Sequence, residues 1–180
     1  MKPIVKVPNP VLSTPAQTVD FFDKRLAKLV KEMTDTLLAT TNPKGVGLAA
    51  PQIGESYRIF ISRPTENSPI RVFVNPEIIR RSKDVTDGVP ERDNKLEGCL
   101  SIPKVWGKVK RAVRIKIRYY DKRGQMHAEY FKGFLATIIQ HETDHINGVL
   151  YTQRVLEQKG KLYQATINKE GKEVMEEISI

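Results

Sequence analysis

The spacing of apolar and polar positions changes character several times along the chain. Prolines at positions 3, 8, 10 and 15 fix φ and remove N–H donors, so the N-terminal stretch is predicted to be extended, turn-rich and wrapped around the domain. From Asp23 onward, Leu26, Leu29, Val30, Met33, Leu37 and Leu38 recur at three- and four-residue steps. That spacing predicts an amphipathic helix ending near Thr41, where Asn42, Pro43 and Gly45 stop it. Short strands are expected over Tyr57–Ser62 and Ile70–Asn75, the second ended by Pro76, followed by a polar, exposed loop over Ser82–Asn94. Val113, Ile115, Ile117 and Tyr119 then alternate with Arg114, Lys116 and Arg118, the pattern of a half-buried strand over 112–120. Asp121–Gly124 supplies a turn and Gln125–Lys132 the return strand. Phe134, Leu135, Ile138, Ile139 and Ile146 mark a second, central and buried helix over Phe134–Asn147, with Gly148 as its left-handed cap. The tail from Lys161 alternates only weakly, which suits a strand or a loose extension better than a helix.

Composition narrows the picture. A chain of 180 residues with 39% hydrophobic and 28% charged positions can close one apolar core and is not poor enough in apolar residues to stay unfolded. The single cysteine excludes an intramolecular disulfide. The uncharged apolar runs, Gly133–Gln140 among them, fall far short of the ~20 residues needed to span a bilayer, and the first residues do not resemble a signal peptide. A soluble, cytoplasmic protein is expected. The formal charge of +9 is concentrated between Lys104 and Arg118, where seven cations occur without an acid. With Trp106 the one aromatic among them, and none interleaved in the way single-strand binders need, these read as the solvated edge of a strand rather than a nucleic-acid surface; neither DNA nor a membrane is an expected partner.

The strongest chemical signal lies on the second helix. In His141-Glu142-Thr143-Asp144-His145, imidazoles four residues apart share a helix face and can hold one metal ion, while Glu142 sits close enough to move protons without being a ligand. Two histidines alone could equally be packed or solvated. No histidine follows His145, so the third donor must come from elsewhere, and Cys99 in Glu97-Gly98-Cys99-Leu100-Ser101-Ile102-Pro103 is the candidate. One sulfur and two imidazoles leave a tetrahedral position open, as in a catalytic rather than a structural site. A cation there lowers the pKa of bound water towards ~7, with Glu142 as general acid and base. The run Gly45-Val46-Gly47-Leu48-Ala49-Ala50-Pro51-Gln52 offers close backbone approach and an amide donor for an oxyanion. It could also be a plain loop; as a phosphate loop it lacks the Lys-Ser/Thr pair.

Taken in order, the segments around Gly45–Gln52, Glu97–Ser101 and Gln140–His145 resemble the three signature motifs of peptide deformylase, a resemblance spanning roughly residues 4 to 155. The fold expected is α+β, with antiparallel sheets packed around a central helix carrying the HExxH motif. It forms one catalytic domain over 1–180, in which 165–180 is a C-terminal extension. The resemblance implies removal of the formyl group from N-formylmethionyl nascent peptides. It assigns Cys99, His141 and His145 to the metal, Glu142 to proton transfer, and the Gln52 amide and Leu100 N–H to the oxyanion. Val46 and Gly47 would pair with substrate backbone, Phe134, Thr137 and Ile138 would wall the methionine pocket, and Glu97 with Arg111 would brace the Cys segment. The family typically uses Fe(II), with zinc, nickel or cobalt able to replace it. Trp106 is placed near the cleft or in the core. The loop before Glu97 is longer than the family's usual pattern, and the tail lacks the basic amphipathic helix through which transient ribosome association would be expected. Two rival classes stay open: a metallopeptidase cutting internal bonds, and a binding module that keeps a metal for folding.

Overall fold

A computed structural model describes residues 1–178; Ser179 and Ile180 lie outside the described residues. The first helix, α1 (Lys24–Leu38), begins where the Asp23 carboxylate accepts the Arg25 N–H at 2.8 Å, a cap that satisfies one of the free donors of the first turn. Its stripe of Leu26, Leu29, Met33 and Leu37 is buried, but Leu38 is exposed and does not belong to that stripe.

Five strands make the larger sheet: β1 (Gly47–Ala49), β2 (Ile59–Ser62), β3 (Arg71–Arg81), β6 (Arg114–Tyr120) and β7 (Met126–Lys132), in the order β1-β2-β3-β6-β7, all antiparallel. Ile115, Ile117 and Tyr119 of β6 are buried as the alternation requires, whereas Val113 precedes the strand and is exposed. Burial of each such side chain is worth roughly 1.5–3 kcal/mol. Three expectations are corrected here. Pro76 does not end β3: the strand continues to Arg81, and the proline falls at a register shift between Val74 and Glu77, where no ladder N–H is required. The glycine-rich run is not a loop, since Gly47–Ala49 pairs with Phe60–Ser62 and a single 3-10 turn, Ala50–Ile53, follows. The cationic strand is not a sheet edge, because β6 lies between β3 and β7; its cations occupy the outer face, and Arg118 pairs there with Glu77.

The smaller sheet has the order β4-β5-β8-β9, built from β4 (Glu97–Cys99), β5 (Ile102–Gly107), β8 (Leu162–Ile167) and β9 (Glu173–Glu177). The tail is therefore a β-hairpin whose first strand pairs with β5. The loop after β3 is only partly exposed: Val85 bridges to Ala112, and Val89 is buried.

Helix α2 (Gly133–Ile146) packs on the larger sheet, with Ala136, Ile139 and Ile146 in the same apolar cluster as Phe60, Ile115 and Ile117. Gly148 caps it as expected, at φ +72°. Its N–H donates to His145 O and that of Val149 to Asp144 O, closing the paired-bond arrangement of a left-handed helix end. A short helix, α3 (Tyr151–Glu157), follows at once; its seven residues are too few to show a period in the sequence. The N-terminal stretch wraps as predicted. Val5 N–H donates to Gln52 O, Val7 N–H to Ser101 O and Ala16 N–H to Ile146 O.

Candidate metal centre

Helix α2 carries His141 and His145 one turn apart on the face turned toward β4, and β4 ends on Cys99. The sulfur, one nitrogen of each ring, and no other described donors of this kind lie within 4.8 Å of one another. Cys99 Sγ is 3.2 Å from His145 Nε2. Tetrahedral ligands at ~2.0–2.3 Å from a common ion lie a few ångströms apart, so these donors are close enough to share a metal. All three groups are buried or nearly so. Burial alone would raise the Cys99 thiol, but the facing His145 and His141 hold it well below its ordinary value. His141 is raised well above its own, against burial, by its bonds to Cys99 and Glu97. A cation taken up there binds the thiolate and displaces the proton that the facing imidazole holds.

The ligands are held by a buried charge network. Glu97, two residues before Cys99, accepts from His141 Nδ1 at 3.0 Å, leaving Nε2 for the ion; a carboxylate behind a ligand imidazole fixes its tautomer and orientation. Arg111 grips Glu97 through Nε and Nη2 and donates through Nη1 to Asp144 at 3.0 Å. Asp144 in turn accepts from Arg154 of α3 at 2.8 Å. Burial opposes ionisation of Glu97, yet the Arg111 charge and the bonds from His141 and Arg111 hold its carboxyl at about 2. The expected brace of Glu97 and Arg111 is thus present, and Asp144 and Arg154 extend it. Sequence reasoning missed both: Asp144 stood inside the HExxH segment, but a helical carboxylate ordinarily faces solvent.

Glu142 lies against the backbone of β1. A Cβ on Gly47 would come within 2.4 Å of Glu142 Oε1, so only glycine permits this approach. Glu142 Oε2 is buried without a hydrogen-bond partner, an atom with unmet capacity aimed into the site. Burial, opposed by His141 and His145, lifts this carboxyl to about 7. Gln52 is held from both ends: its Oε1 accepts Ala49 N–H at 2.9 Å, and its Nε2 points to Cys99 Sγ and Ser101 Oγ at 3.4 and 3.3 Å. Leu100 sits half-buried at the turn between β4 and β5. Ser101, not singled out from sequence, also donates its N–H to the sulfur at 3.4 Å.

A cleft opens over these groups, and β1 and β4, each the outermost strand of its sheet, both line it. Val46, Gly47, Phe134, Thr137 and Ile138 are among the residues that line it. Trp106 belongs to the cleft rather than the core: it is half-buried and its ring rests on Gly98, where a Cβ would lie 2.4 Å from the indole. Tyr151, absent from the sequence reading, stacks its ring at 5.9 Å from that of His141 and donates its hydroxyl to Val105 O at 2.8 Å. Among the described residues no helix is long and apolar enough to cross a membrane.

Residues 1–161 match the family described as polypeptide deformylase. Peptide deformylase 1 of Bacillus subtilis is 42% identical over 155 residues, covering 86% of this chain and 90% of that protein. Among solved structures, peptide deformylase of Thermotoga maritima superposes with a TM-score of 0.76 at 36% identity, covering 86% of this chain and 97% of the other. The Met-Ala-Ser-bound class I type b enzyme of Acinetobacter baumannii gives 0.74 at 36% identity, covering 86% and 98%. The antiparallel sheets, the helix bearing the His pair and the cysteine at the end of β4 therefore sit within a shared fold, and the chain belongs to the polypeptide deformylase family of hydrolases.

Proposed function

We propose that this protein hydrolyses the N-formyl group of N-formylmethionyl nascent peptides, releasing formate and a free amine. The observation that carries the reading is the convergence of Cys99, His141 and His145 within 4.8 Å, with the unpartnered Glu142 oxygen beside them. Cys99, His141 and His145 would hold one divalent ion; Fe(II) is the metal proposed for the cell, and zinc, nickel or cobalt suit the same sulfur and imidazole donors. When bound, the metal supplies Lewis acidity that polarises the formyl carbonyl and makes water a nucleophile at neutral pH.

The remaining work falls to the chain. Glu142 takes a proton from the attacking water and passes it to the amine nitrogen as the C–N bond breaks. The Gln52 amide and the Leu100 N–H donate to the oxygen on which charge develops; Gln52 is pre-set for this by its bond from Ala49, so little reorganisation is needed. Val46 and Gly47, on the free edge of the larger sheet, pair with the peptide backbone as an added strand. Phe134, Thr137 and Ile138 wall the methionine side chain. The whole chain is proposed to act as one catalytic domain, the tail hairpin continuing the sheet that carries Cys99. A reducing, cytoplasmic setting suits its one thiol. The hairpin gives no support to ribosome docking through a basic C-terminal helix.

The test is anaerobic purification with metal analysis, followed by formate release from a formyl-Met peptide. Turnover that is lost together with metal in Cys99→Ser supports the reading. A folded, iron-loaded protein that releases no formate overturns it.

A further inference from the structure

The rim of the cleft carries a cation that neither the metal centre nor the oxyanion donors use. Arg92 comes from the segment between β3 and β4. The same segment places buried Val89 in the cleft wall. The Arg92 guanidinium lies 5.3 Å from the centre of the Trp106 ring and donates to Leu96 O at 3.1 Å. It is thus seated on an aromatic plate that itself rests on Gly98, beside Cys99.

Arg92 is half-buried and lines the cleft, yet among the described residues no carboxylate pairs with it. Its neighbours Glu91 and Asp93 are exposed and form no ion pair with it. Glu97, the nearest acid in electrostatic terms, is committed to Arg111 and His141. Partial burial disfavours its charge, and a desolvated guanidinium without a counter-ion gains most when an anion arrives. Lys44, which also lines the cleft, adds a second positive charge in an exposed pair with Glu66. A planar guanidinium fixed by an indole is preset for the two oxygens of a carboxylate.

We infer that Arg92, seated on Trp106, is a specificity determinant that binds an acidic side chain in the residues following formylmethionine. The inference rests on the deformylase reading. Arg92 is seated on the indole and bonded to Leu96 O, not to any of the gathered Cys and His donors, so the group it reads belongs to the peptide beyond the methionine and not to the formyl end.

The test uses the metal-loaded full chain and measures formate release from amide-capped formyl-Met-Ala-Glu and formyl-Met-Ala-Gln, and from formyl-Met-Glu-Ala and formyl-Met-Gln-Ala. A single partly exposed ion pair predicts that one Glu peptide exceeds its Gln partner by about fivefold in kcat/KM, carried by KM and shrinking with added salt. In Arg92→Gln the Glu-to-Gln ratio falls to about one. Equal KM values for both pairs in the unmodified protein overturn the inference, and that comparison needs no variant. A ratio that survives in Arg92→Gln also overturns it, as does a gain seen only when the amide cap is replaced by a free terminal carboxylate. Absence of formate from every peptide sinks the deformylase reading itself, whereas formate without charge preference sinks only the role of Arg92.

Discussion

The two sheets contribute to one site by different means. The larger sheet holds α2 through a deep apolar contact, Phe60, Ile115, Ile117 and Ile139 all fully buried, so the two imidazoles ride on a rigid face. The smaller sheet brings Cys99 on a three-residue strand whose cluster is small, with Val109, Tyr151 and Val155 at its centre. What fixes the sulfur is polar: Glu97 beside it, gripped by Arg111, which also holds Asp144 of α2. Apolar packing positions one half of the donor set and a buried ion network positions the other. Non-directional burial is enough to place a helix, while a single sulfur on a short strand needs directional bonds.

That contrast can be tested by perturbing each half. The largest effect is expected on the helix side: Glu142→Gln should lower formate release by about 10²–10⁴-fold while metal content, read by elemental analysis, stays near one per chain. Loss of the metal as well would mean that Glu142 shapes the donor set. Next comes the polar half, where Arg111→Met leaves Glu97 and Asp144 buried without their partner and should cost about 3–5 kcal/mol in denaturant unfolding. The folded Glu97 carboxyl, at about 2, lies below its unfolded value near 4.5. Its stabilising contribution is therefore complete above that upper value and lost as pH falls toward the lower one. Arg111→Met should accordingly unfold at a higher pH than the unmodified protein when acid titration is followed by circular dichroism. Unchanged acid sensitivity would refute the polar account of the smaller sheet.

A smaller effect is expected from Gly98→Ala, which forces the Trp106 ring to move and should cost about 1–3 kcal/mol; a shifted tryptophan emission would report it. The smallest lies on the outer face of the larger sheet. Arg118→Ser removes an exposed pair with Glu77 and should change the thermal midpoint by what ~0.5 kcal/mol or less allows. A large drop there would show that polar bonds, not the core, hold the larger sheet.

Legibility in the sequence follows the same division. Helix α2 and strand β6 could be read because each buries one continuous face, and burial imprints its period on the residues. The smaller sheet leaves no such imprint. Its β4 is three residues long, β5 contains Pro103 and a left-handed Lys104, and α3 spans under two turns. The Cys and His donors were legible from residue chemistry and from the family motifs. Arg111 to Asp144 was not, because the partners lie 33 positions apart and nothing in a charged residue's neighbours marks it as buried. Pro76 misled for a related reason: a bulge, visible only in the paired strand, supplies the gap its missing N–H requires.

The N-terminal stretch gives a practical consequence. Within three residues it bonds to Gln52 O on one side and Ser101 O on the other, at 2.8 and 3.1 Å, so it acts as a suture drawn across the seam between the two sheets. Trimming the chain past Val7 would leave Cys99, His141, Glu142 and His145 in place while freeing the lips of the seam to drift. Any affinity handle or reporter dye is therefore better attached away from this end.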